Sequence, residues 1–272
     1  MFKAALCQIS VVDDLAANLK TASLAVKDAA EKGADIVCLP EMFCCPYEND
    51  KFIKYGQPAG GEIWQALSAM ARENSVWLIG GSMPELEGER IYNTAFVFSP
   101  EGEQVARHRK VHLFDVDIPG GQSFKESDTL SAGDEFTVFD TPFGRIGVAI
   151  CFDVRFAEQF RLMTLDGAQA VFVPGAFNMT TGPAHWELLF RSRALDNQLW
   201  MLGCAPARCE GAGYVSYGNS IVSSPWGEVM GRLDEKEGTL LADVNTELNA
   251  KVRLRIPILS NRRTDLYEVT KK

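Results

Sequence analysis

The chain has 272 residues, and its 27 Lys and Arg against 36 Asp and Glu give a formal net charge of −9. Apolar residues make up 46% of the chain, which is typical of compact globular proteins and excludes the disordered and fibrous classes. The longest basic run is 107–110, and no stretch approaches the roughly 20 apolar residues of a membrane span, so neither a nucleic acid nor a membrane is an expected partner.

The first half of the chain predicts alternating strands and helices. Apolar residues at steps of three and four from Leu15 to Ala29 indicate an amphipathic helix, and Gly33 ends it. The first residues lack a basic start and a cleavage site, so we expect a cytoplasmic protein with reduced thiols. The predicted order is a strand at 2–9, this helix, a strand at 34–39, a helix at 63–71 and a strand at 76–80.

The rest of the chain predicts a hairpin and then a second set of alternating elements. The turn residues at 99–103 separate strands at 92–98 and 104–111. No linker or change of composition divides the chain, so we expect one α/β domain with mixed sheets over residues 1–272. The later predicted elements are strands at 135–139, 145–150, 169–173 and 199–204, helices around Phe160 and Phe190, and strands within 218–244 joined by turns at 225–227 and 234–238.

The cysteine and histidine content argues against a structural metal or a disulfide framework. Seven is an odd number of cysteines, and the sequence contains no CxxC pair. The three histidines are His108, His112 and His185, which we place on different elements. We therefore expect neither a metal site nor an organic cofactor.

Three polar residues lie where predicted strands end, which is where open α/β sheets place their ligand sites: Glu41, Lys110 and Cys151. Cys151 is the candidate nucleophile, because a helix predicted to begin around 153–155 would offer free N–H groups to a thiolate. The other way to activate the thiol is a base in contact with it, and the scarcity of histidine favours a carboxylate as that base. The alternative for Cys151 is a buried core thiol.

Glu41 and Lys110 are the candidates for the base and for the cation that stabilises the oxyanion. A desolvated Glu41 would have a raised pKa and would take the thiol proton, whereas its alternative role is a helix cap or a salt-bridged loop residue. Lys110 would stabilise the negative charge that develops on a carbonyl oxygen. Its alternative is a solvated basic strand edge shared with Arg107 and Arg109.

The motifs around these residues resemble those of a known family. The stretches 39–41, 109–113 and 150–156 are similar, in this order, to the three signatures of the nitrilase superfamily of carbon–nitrogen hydrolases, and the resemblance extends from Ala4 to Tyr267. Segments 114–120 and 174–186 are similar to its ω-amidase branch. The resemblance implies an α-β-β-α sandwich of two mixed sheets flanked by helices. It also implies a triad of Glu41, Lys110 and Cys151, with a second glutamate, Glu126, beside it.

The ω-amidase resemblance implies hydrolysis of the distal amide of 2-oxoglutaramate and 2-oxosuccinamate through a Cys thioester, giving a dicarboxylate and ammonia. The backbone N–H of Phe152 would hold the oxyanion together with Lys110. Glu126 would orient the lysine, and its alternative is a solvated loop position. The resemblance alone also suggests a homodimer or a larger homo-oligomer.

Substrate selection is expected to depend on Arg155 and Phe177. Arg155 lies four residues after Cys151, and its guanidinium can bind a distal carboxylate bidentately, while Phe177 matches an aromatic pocket wall of the branch. The alternatives are a surface arginine paired with Asp153 or Glu158, and a core phenylalanine.

Two other functions stay open at the level of sequence. A related amidase of the same superfamily, acting on deaminated glutathione or an N-carbamoyl compound, would share the triad. A catalytically silent binding protein on the same fold is the alternative of another class, although it has no chemical need for an intact Glu, Lys and Cys. A thiol-redox or zinc role is a third possibility.

Overall fold

The computed structural model describes residues 1–117 and 123–272. Its strands are β1 (Phe2–Gln8), β2 (Ile36–Cys38), β3 (Trp77–Ile79), β4 (Met83–Glu87), β5 (Arg90–Phe98), β6 (Gln104–Arg109), β7 (Asp115–Asp117), β8 (Ser123–Lys125), β9 (Leu130–Ser131), β10 (Thr137–Thr141), β11 (Gly144–Val148), β12 (Ala170–Pro174), β13 (Trp200–Cys204), β14 (Ile221–Ser223), β15 (Val229–Arg232) and β16 (Gly238–Val244). Its α-helices are α1 (Leu15–Glu31), α2 (Asn49–Tyr55), α3 (Glu62–Asn74), α4 (Ala157–Leu165), α5 (Gly182–Asn197) and α6 (Glu247–Arg255), and its 3₁₀ helices are Glu126–Asp128 and Cys151–Arg155.

Two mixed sheets stack face to face between two pairs of helices. The first sheet has the order β16-β1-β2-β3-β5-β4, with β6 and β9 also paired to β5, and the second has the order β10-β11-β12-β13-β14-β15. Helices α1 and α3 cover the first sheet, and α4 and α5 cover the second. The predicted α-β-β-α sandwich is therefore confirmed.

Burial on both faces explains why the strands are continuous apolar runs. In β1, Phe2, Ala4 and Leu6 belong to the core between the two sheets, whereas Ala5 and Cys7 belong to the core under the helices. Side chains alternate across a strand, so a strand covered on both sides needs apolar residues at every position.

The strand directions bring the ends of β2, β6 and β11 into reach of one another. Strands β2 and β3 run parallel, and two antiparallel pairings, β3 with β5 and β5 with β6, return β6 to the direction of β2. The residues that follow β2 and β6 therefore leave the first sheet at the same edge. The second sheet, with β11, β12 and β13 parallel, presents its own strand ends across the interface.

The structure corrects several predicted elements. The expected helix start at 153–155 is wrong: a 3₁₀ helix begins at Cys151 itself, and α4 begins only at Ala157. Helices α2 and α6 and strand β4 were not predicted, because α2 has seven residues and α6 buries only Asn249 and Val252, too little for an apolar stripe.

Two expectations from the sequence depend on which residues the structure describes. Residues 118–120, part of a segment similar to the ω-amidase branch, lie outside the described residues. Within 1–117 and 123–272, no helix combines the length and the apolar character that crossing a membrane requires.

Candidate active site

Glu41 lies just beyond β2, in a buried segment, and is 1% exposed. Its Oε1 accepts hydrogen bonds from Lys110 Nζ at 3.0 Å and from Asn93 Nδ2 at 2.8 Å. Its Oε2 accepts one from the backbone N–H of Ala176 at 2.7 Å, and Ala176 follows β12 of the other sheet. The carboxylate thus joins the two sheets. It is not a helix cap, but it is a salt-bridged residue of a turn segment, and its partner is the buried Lys110.

Lys110 is fully buried, so the alternative of a solvated strand edge does not apply to it. Its Nζ donates to Glu41 Oε1 at 3.0 Å, to Glu126 Oε1 at 2.9 Å and to the Tyr47 hydroxyl at 3.1 Å. Burial alone would lower the pKa of this ammonium, but the carboxylates of Glu126 and Glu41 outweigh burial and raise the pKa. Lys110 is therefore a cation that uses all three of its N–H donors.

Glu126 lies at the start of a 3₁₀ helix and is fully buried, so it is not a solvated loop residue. Its Oε1 accepts the bond from Lys110, and its Oε2 accepts one from the backbone N–H of Phe114 at 2.6 Å. Since both oxygens are engaged, the carboxylate is held in place as a second acceptor for the lysine, beside Glu41.

Tyr47 is the residue of this cluster that the sequence did not reveal. Its hydroxyl hydrogen-bonds Glu126 and Lys110, and it lies 3.3 Å from Glu41 Oε1. Burial and the neighbouring carboxylates Glu126 and Glu41 raise the pKa of Tyr47, so it stays a phenol. Its only sequence signal is its place six residues after Glu41, in an apolar segment where a core aromatic is the ordinary expectation.

Cys151 begins the 3₁₀ helix after β11 and is 5% exposed. Its backbone has a φ of 45°, a left-handed conformation that is uncommon for a side chain of this type and is often found at functional sites. The Glu41 carboxylate lies near enough to the thiol to act on its pKa. Burial and Glu41 raise the pKa of the thiol well above its ordinary value, against the opposing effect of Lys110. The resting group is therefore a thiol beside a base, which agrees with the second of the two routes considered for Cys151, a neighbouring carboxylate, rather than with a resting thiolate.

Phe152 follows directly, at the first turn of the same 3₁₀ helix. Backbone N–H groups in the first turn of a helix have no acceptor within that helix, so the Phe152 N–H is the candidate donor to a negatively charged oxygen next to Cys151.

Asp153 ties the segment of Cys151 to the segment of Lys110. It is fully buried and accepts hydrogen bonds from the backbone N–H of Ile150, from His108 and from His112. The sequence placed these two histidines on different elements; they are four residues apart and converge on one carboxylate. Among the described residues, no group of histidine, cysteine and carboxylate side chains is arranged to hold a metal ion.

Arg155 and Phe177 share one pocket with Cys151. The Arg155 guanidinium lies 4.8 Å from the centre of the Phe177 ring, and its Nη1 lies 3.2 Å from His185 Nδ1. Among the described residues, Arg155 forms no ion pair with a carboxylate, so the alternative pairing with Asp153 or Glu158 is not observed. The pocket has a volume of about 10 Å³, and its lining residues are Phe114, Cys151, Phe152, Arg155, Ala176, Phe177, Thr181 and Tyr214.

A larger cavity of about 330 Å³ lies on the other side of Tyr214 and Ala176, which line both spaces. Glu41 and Tyr47 are part of its wall. Its charged lining is acidic, since Asp13, Glu48 and Glu210 also contribute to it. The pocket of Cys151 therefore has a cationic wall, and its neighbour has an anionic one.

Comparisons with known proteins agree with this geometry. The family model described as carbon-nitrogen hydrolase matches residues 3–253. The chain is 49% identical to the omega-amidase NIT2 of Xenopus tropicalis over 271 residues, which cover 100% of this chain and 98% of that protein.

Two solved structures extend the comparison to the fold. The crystal structure of Saccharomyces cerevisiae Nit3, a member of branch 10 of the nitrilase superfamily, is 39% identical, has a TM-score of 0.89 and covers 96% of each chain. A glutamate-to-glutamine mutant of the amidase from Nesterenkonia sp. AN1, showing Michael addition of acrylamide at its active-site cysteine, is 26% identical, with a TM-score of 0.81 and 98% of both chains covered.

These matches cover nearly the whole chain and confirm the resemblance that the sequence motifs suggested. The chain belongs to the carbon-nitrogen hydrolase family and is an enzyme of the nitrilase superfamily, similar to its omega-amidases.

Proposed function

We propose that this enzyme is an amidase that hydrolyses the distal amide of small dicarboxylate monoamides, 2-oxoglutaramate and 2-oxosuccinamate, to the dicarboxylate and ammonia. The observation that carries the proposal is a buried thiol with a buried carboxylate beside it, which accepts a hydrogen bond from a lysine ammonium. The single cation of Arg155 in the pocket of that thiol supports a substrate with a second, negatively charged end.

The reaction begins with proton transfer from Cys151 to Glu41. Oε1 of Glu41 already has two donors, whereas the contact of Oε2 with Ala176 N–H leaves that oxygen a free lone pair among the described residues. Oε2 is therefore the proposed proton acceptor. The sulfur then attacks the amide carbon, and the carbonyl oxygen becomes an oxyanion.

The oxyanion is held by the Phe152 N–H and by Lys110. All three Lys110 donors are occupied at rest, so one must be released first. Protonation of Glu41 provides this release, because a neutral carboxylic acid is a weaker acceptor than a carboxylate. Proton transfer and oxyanion stabilisation are coupled in this way.

Glu41 next gives its proton to the amide nitrogen, because ammonia is a far better leaving group than an amide anion. The carbon–nitrogen bond breaks, ammonia departs, and the acyl group remains on Cys151 as a thioester. Glu41 then takes a proton from water, the hydroxide attacks the thioester, and the thiolate that leaves recovers the proton from Glu41. The balance of atoms requires only amide and water.

The choice of an anionic substrate is supported by Arg155. The chain has a net charge of −9, so a small dicarboxylate monoamide needs a local cation at the pocket. The half-buried Arg155 guanidinium between the Phe152 and Phe177 rings supplies it. The pocket has room for about one water molecule, so the substrate must displace part of its lining as it enters.

A substrate panel with an Arg155 variant tests this choice. We expect Arg155→Met to raise KM for 2-oxoglutaramate by about 10- to 100-fold, because the loss of a charge-assisted hydrogen-bond pair weakens binding by about that factor. The KM for the uncharged butanamide should change much less. The matched control is Arg191→Met, which removes an exposed arginine of α5 that pairs with Glu187.

Three outcomes would contradict the proposed substrate. Faster turnover of deaminated glutathione or of an N-carbamoyl amino acid would favour the related amidase. An increase of KM in Arg191→Met alone would move the carboxylate site away from Arg155. Absence of ammonia from every amide would favour a silent binding protein.

A further inference from the structure

Arg155 is a half-buried cation whose charge is not cancelled by any carboxylate of the described residues. Burial lowers the pKa of its guanidinium, and the groups that oppose burial are Cys151 and Tyr214, neither of which is a carboxylate. Arginine nevertheless stays protonated in proteins. Its Nε is buried and has no hydrogen-bond partner in the described part of the chain. Buried charges and buried N–H groups are ordinarily paired, so Arg155 retains both a charge and a donor for a ligand.

The partner of Arg155 is instead a histidine. Its Nη1 lies 3.2 Å from Nδ1 of His185, an exposed residue in the first turn of α5. A guanidinium has five N–H donors and no acceptor, so Arg155 donates in this contact and Nδ1 accepts. A ring nitrogen accepts only when it carries no hydrogen, so an imidazolium with two N–H groups does not fit this contact. His185 therefore holds the guanidinium as a neutral acceptor.

The guanidinium lies against the pocket of Cys151. Its carbon is 4.8 Å from the centre of the Phe177 ring and 5.5 Å from the centre of the Phe152 ring. The described residues that line the pocket include both rings and Arg155, but not His185. A carboxylate in the place of the imidazole would form the usual bidentate ion pair of arginine and cancel its charge. The neutral imidazole orients the same group and leaves its charge in the pocket.

We propose that His185 determines specificity by acting as an uncharged acceptor, which orients the Arg155 guanidinium and leaves its positive charge available to a carboxylate of the substrate. His185 is a positioning residue that acts through Arg155. This inference rests on the proposed function, because only a substrate with an anionic second end gains from the unpaired charge.

A pair of alkylating reagents measures the charge at Cys151 without any substrate. Iodoacetate and iodoacetamide attack the same thiol and differ mainly in a carboxylate against an uncharged amide. The ratio of their rates is followed by mass spectrometry of the peptide that contains Cys151. We expect His185→Glu to lower the ratio of iodoacetate to iodoacetamide by about tenfold, because the new carboxylate pairs with Arg155. His185→Gln, which keeps an acceptor and adds no charge, should stay close to the wild type.

Two further variants separate an effect through Arg155 from a direct effect of the new charge. Leu24→Glu adds the same charge on the exposed side of α1 and should leave the ratio unchanged. In an Arg155→Met background, adding His185→Glu should lower the ratio much less than it does in the wild type. Because His185 is exposed and acidic residues are favoured in the first turn of a helix, His185→Glu is expected to fold normally.

The same variants should change the choice of substrate. We expect His185→Glu to raise KM for 2-oxoglutaramate by about tenfold, with little change in kcat or in the KM for butanamide. His185→Gln should retain the selectivity of the wild type, since an uncharged acceptor is what the site requires.

Three results would overturn the role of His185. They are an unchanged alkylation ratio in His185→Glu, an equal fall of the ratio with and without Arg155, and a fall in His185→Gln as large as that in His185→Glu. A fall that requires Arg155, with an unchanged KM for 2-oxoglutaramate, would support the role of His185 and count against the proposed substrate. The two failures are therefore distinguishable.

Discussion

At the scale of single residues, the hydrogen bonds of Lys110 define the resting state of the site. Its three donors meet Glu41, Tyr47 and Glu126, so the lysine is neutralised and held before any substrate binds. Motif order was sufficient to predict Glu41, Lys110, Glu126 and Cys151 as one set. Tyr47 was not predictable, because its sequence context is that of a core aromatic and only its contacts reveal another role.

Replacing Tyr47 by phenylalanine tests its importance. The change removes the hydroxyl that accepts from Lys110 but keeps the ring that packs against Phe52 and Tyr214. We expect kcat to fall by about 10- to 100-fold, since a hydrogen bond to a charged group is lost, and the free energy of unfolding to fall by about 1–3 kcal/mol, because Lys110 and Glu126 lose a buried partner.

The control for this variant is Tyr55→Phe, which removes a hydroxyl that bonds Asp13 away from the site. Steady-state kinetics and thermal unfolding of both variants provide the comparison. Equal kcat values in the two variants would show that the Tyr47 hydroxyl has no part in the reaction.

At the scale of elements, strand ends of both sheets position the site: Glu41 and Lys110 follow β2 and β6 of the first sheet, and Cys151 follows β11 of the second. The segment with Ala176 and Phe177 connects β12 to α5, and α5 packs on β13. The longer helices and buried strands were predictable, because their apolar stripes and runs are distinct. Helices α2 and α6 were not, because α2 is one to two turns long and α6 buries little.

Gly203 of β13 allows the close approach of α5. A Cβ at this position would lie 2.4 Å from the Phe190 ring and 2.9 Å from the Trp186 ring. We expect Gly203→Ala to lower the free energy of unfolding by about 1–3 kcal/mol, the usual cost of overpacking a core. Urea unfolding measures the change.

Gly238→Ala is the matched control, because a Cβ there meets Leu233 at 3.6 Å, an ordinary contact. A stability of Gly203→Ala equal to that of the control would show that the helix can move away without cost.

At the scale of the whole molecule, the sandwich concentrates buried charge between two sheets of an acidic protein. The net charge is −9, and Lys110 and Arg155 are cations at the cluster and the pocket. The family resemblance predicted the order of the layers. The convergence of His108 and His112 on Asp153 could not be predicted from the sequence, because it joins residues that are 41 to 45 positions apart in the chain. The homodimer or larger assembly stays a prediction, which light scattering of the purified protein would test.

Acid should destabilise the protein through Asp153. Its pKa is lowered in the folded state, so its contribution to stability is complete above the unfolded value of about 4 and is lost as the pH falls through the lower folded value. We expect the free energy of unfolding to decline below about pH 4, and Asp153→Asn to show a shallower decline.

Urea unfolding at a series of pH values measures this dependence. The control is Asp140→Asn, which changes an exposed carboxylate of β10. Identical pH slopes for the wild type and Asp153→Asn would contradict the account of the buried carboxylate.

In the proposed reaction, Cys151 carries the acyl group during turnover. Rapid acid quenching after mixing the enzyme with 2-oxoglutaramate, followed by mass spectrometry, detects this intermediate. We expect an acyl adduct of the substrate minus ammonia on the peptide that contains Cys151, and neither adduct nor ammonia release with Cys151→Ala. An adduct on another of the seven cysteines, or turnover by Cys151→Ala at the wild-type rate, would contradict it.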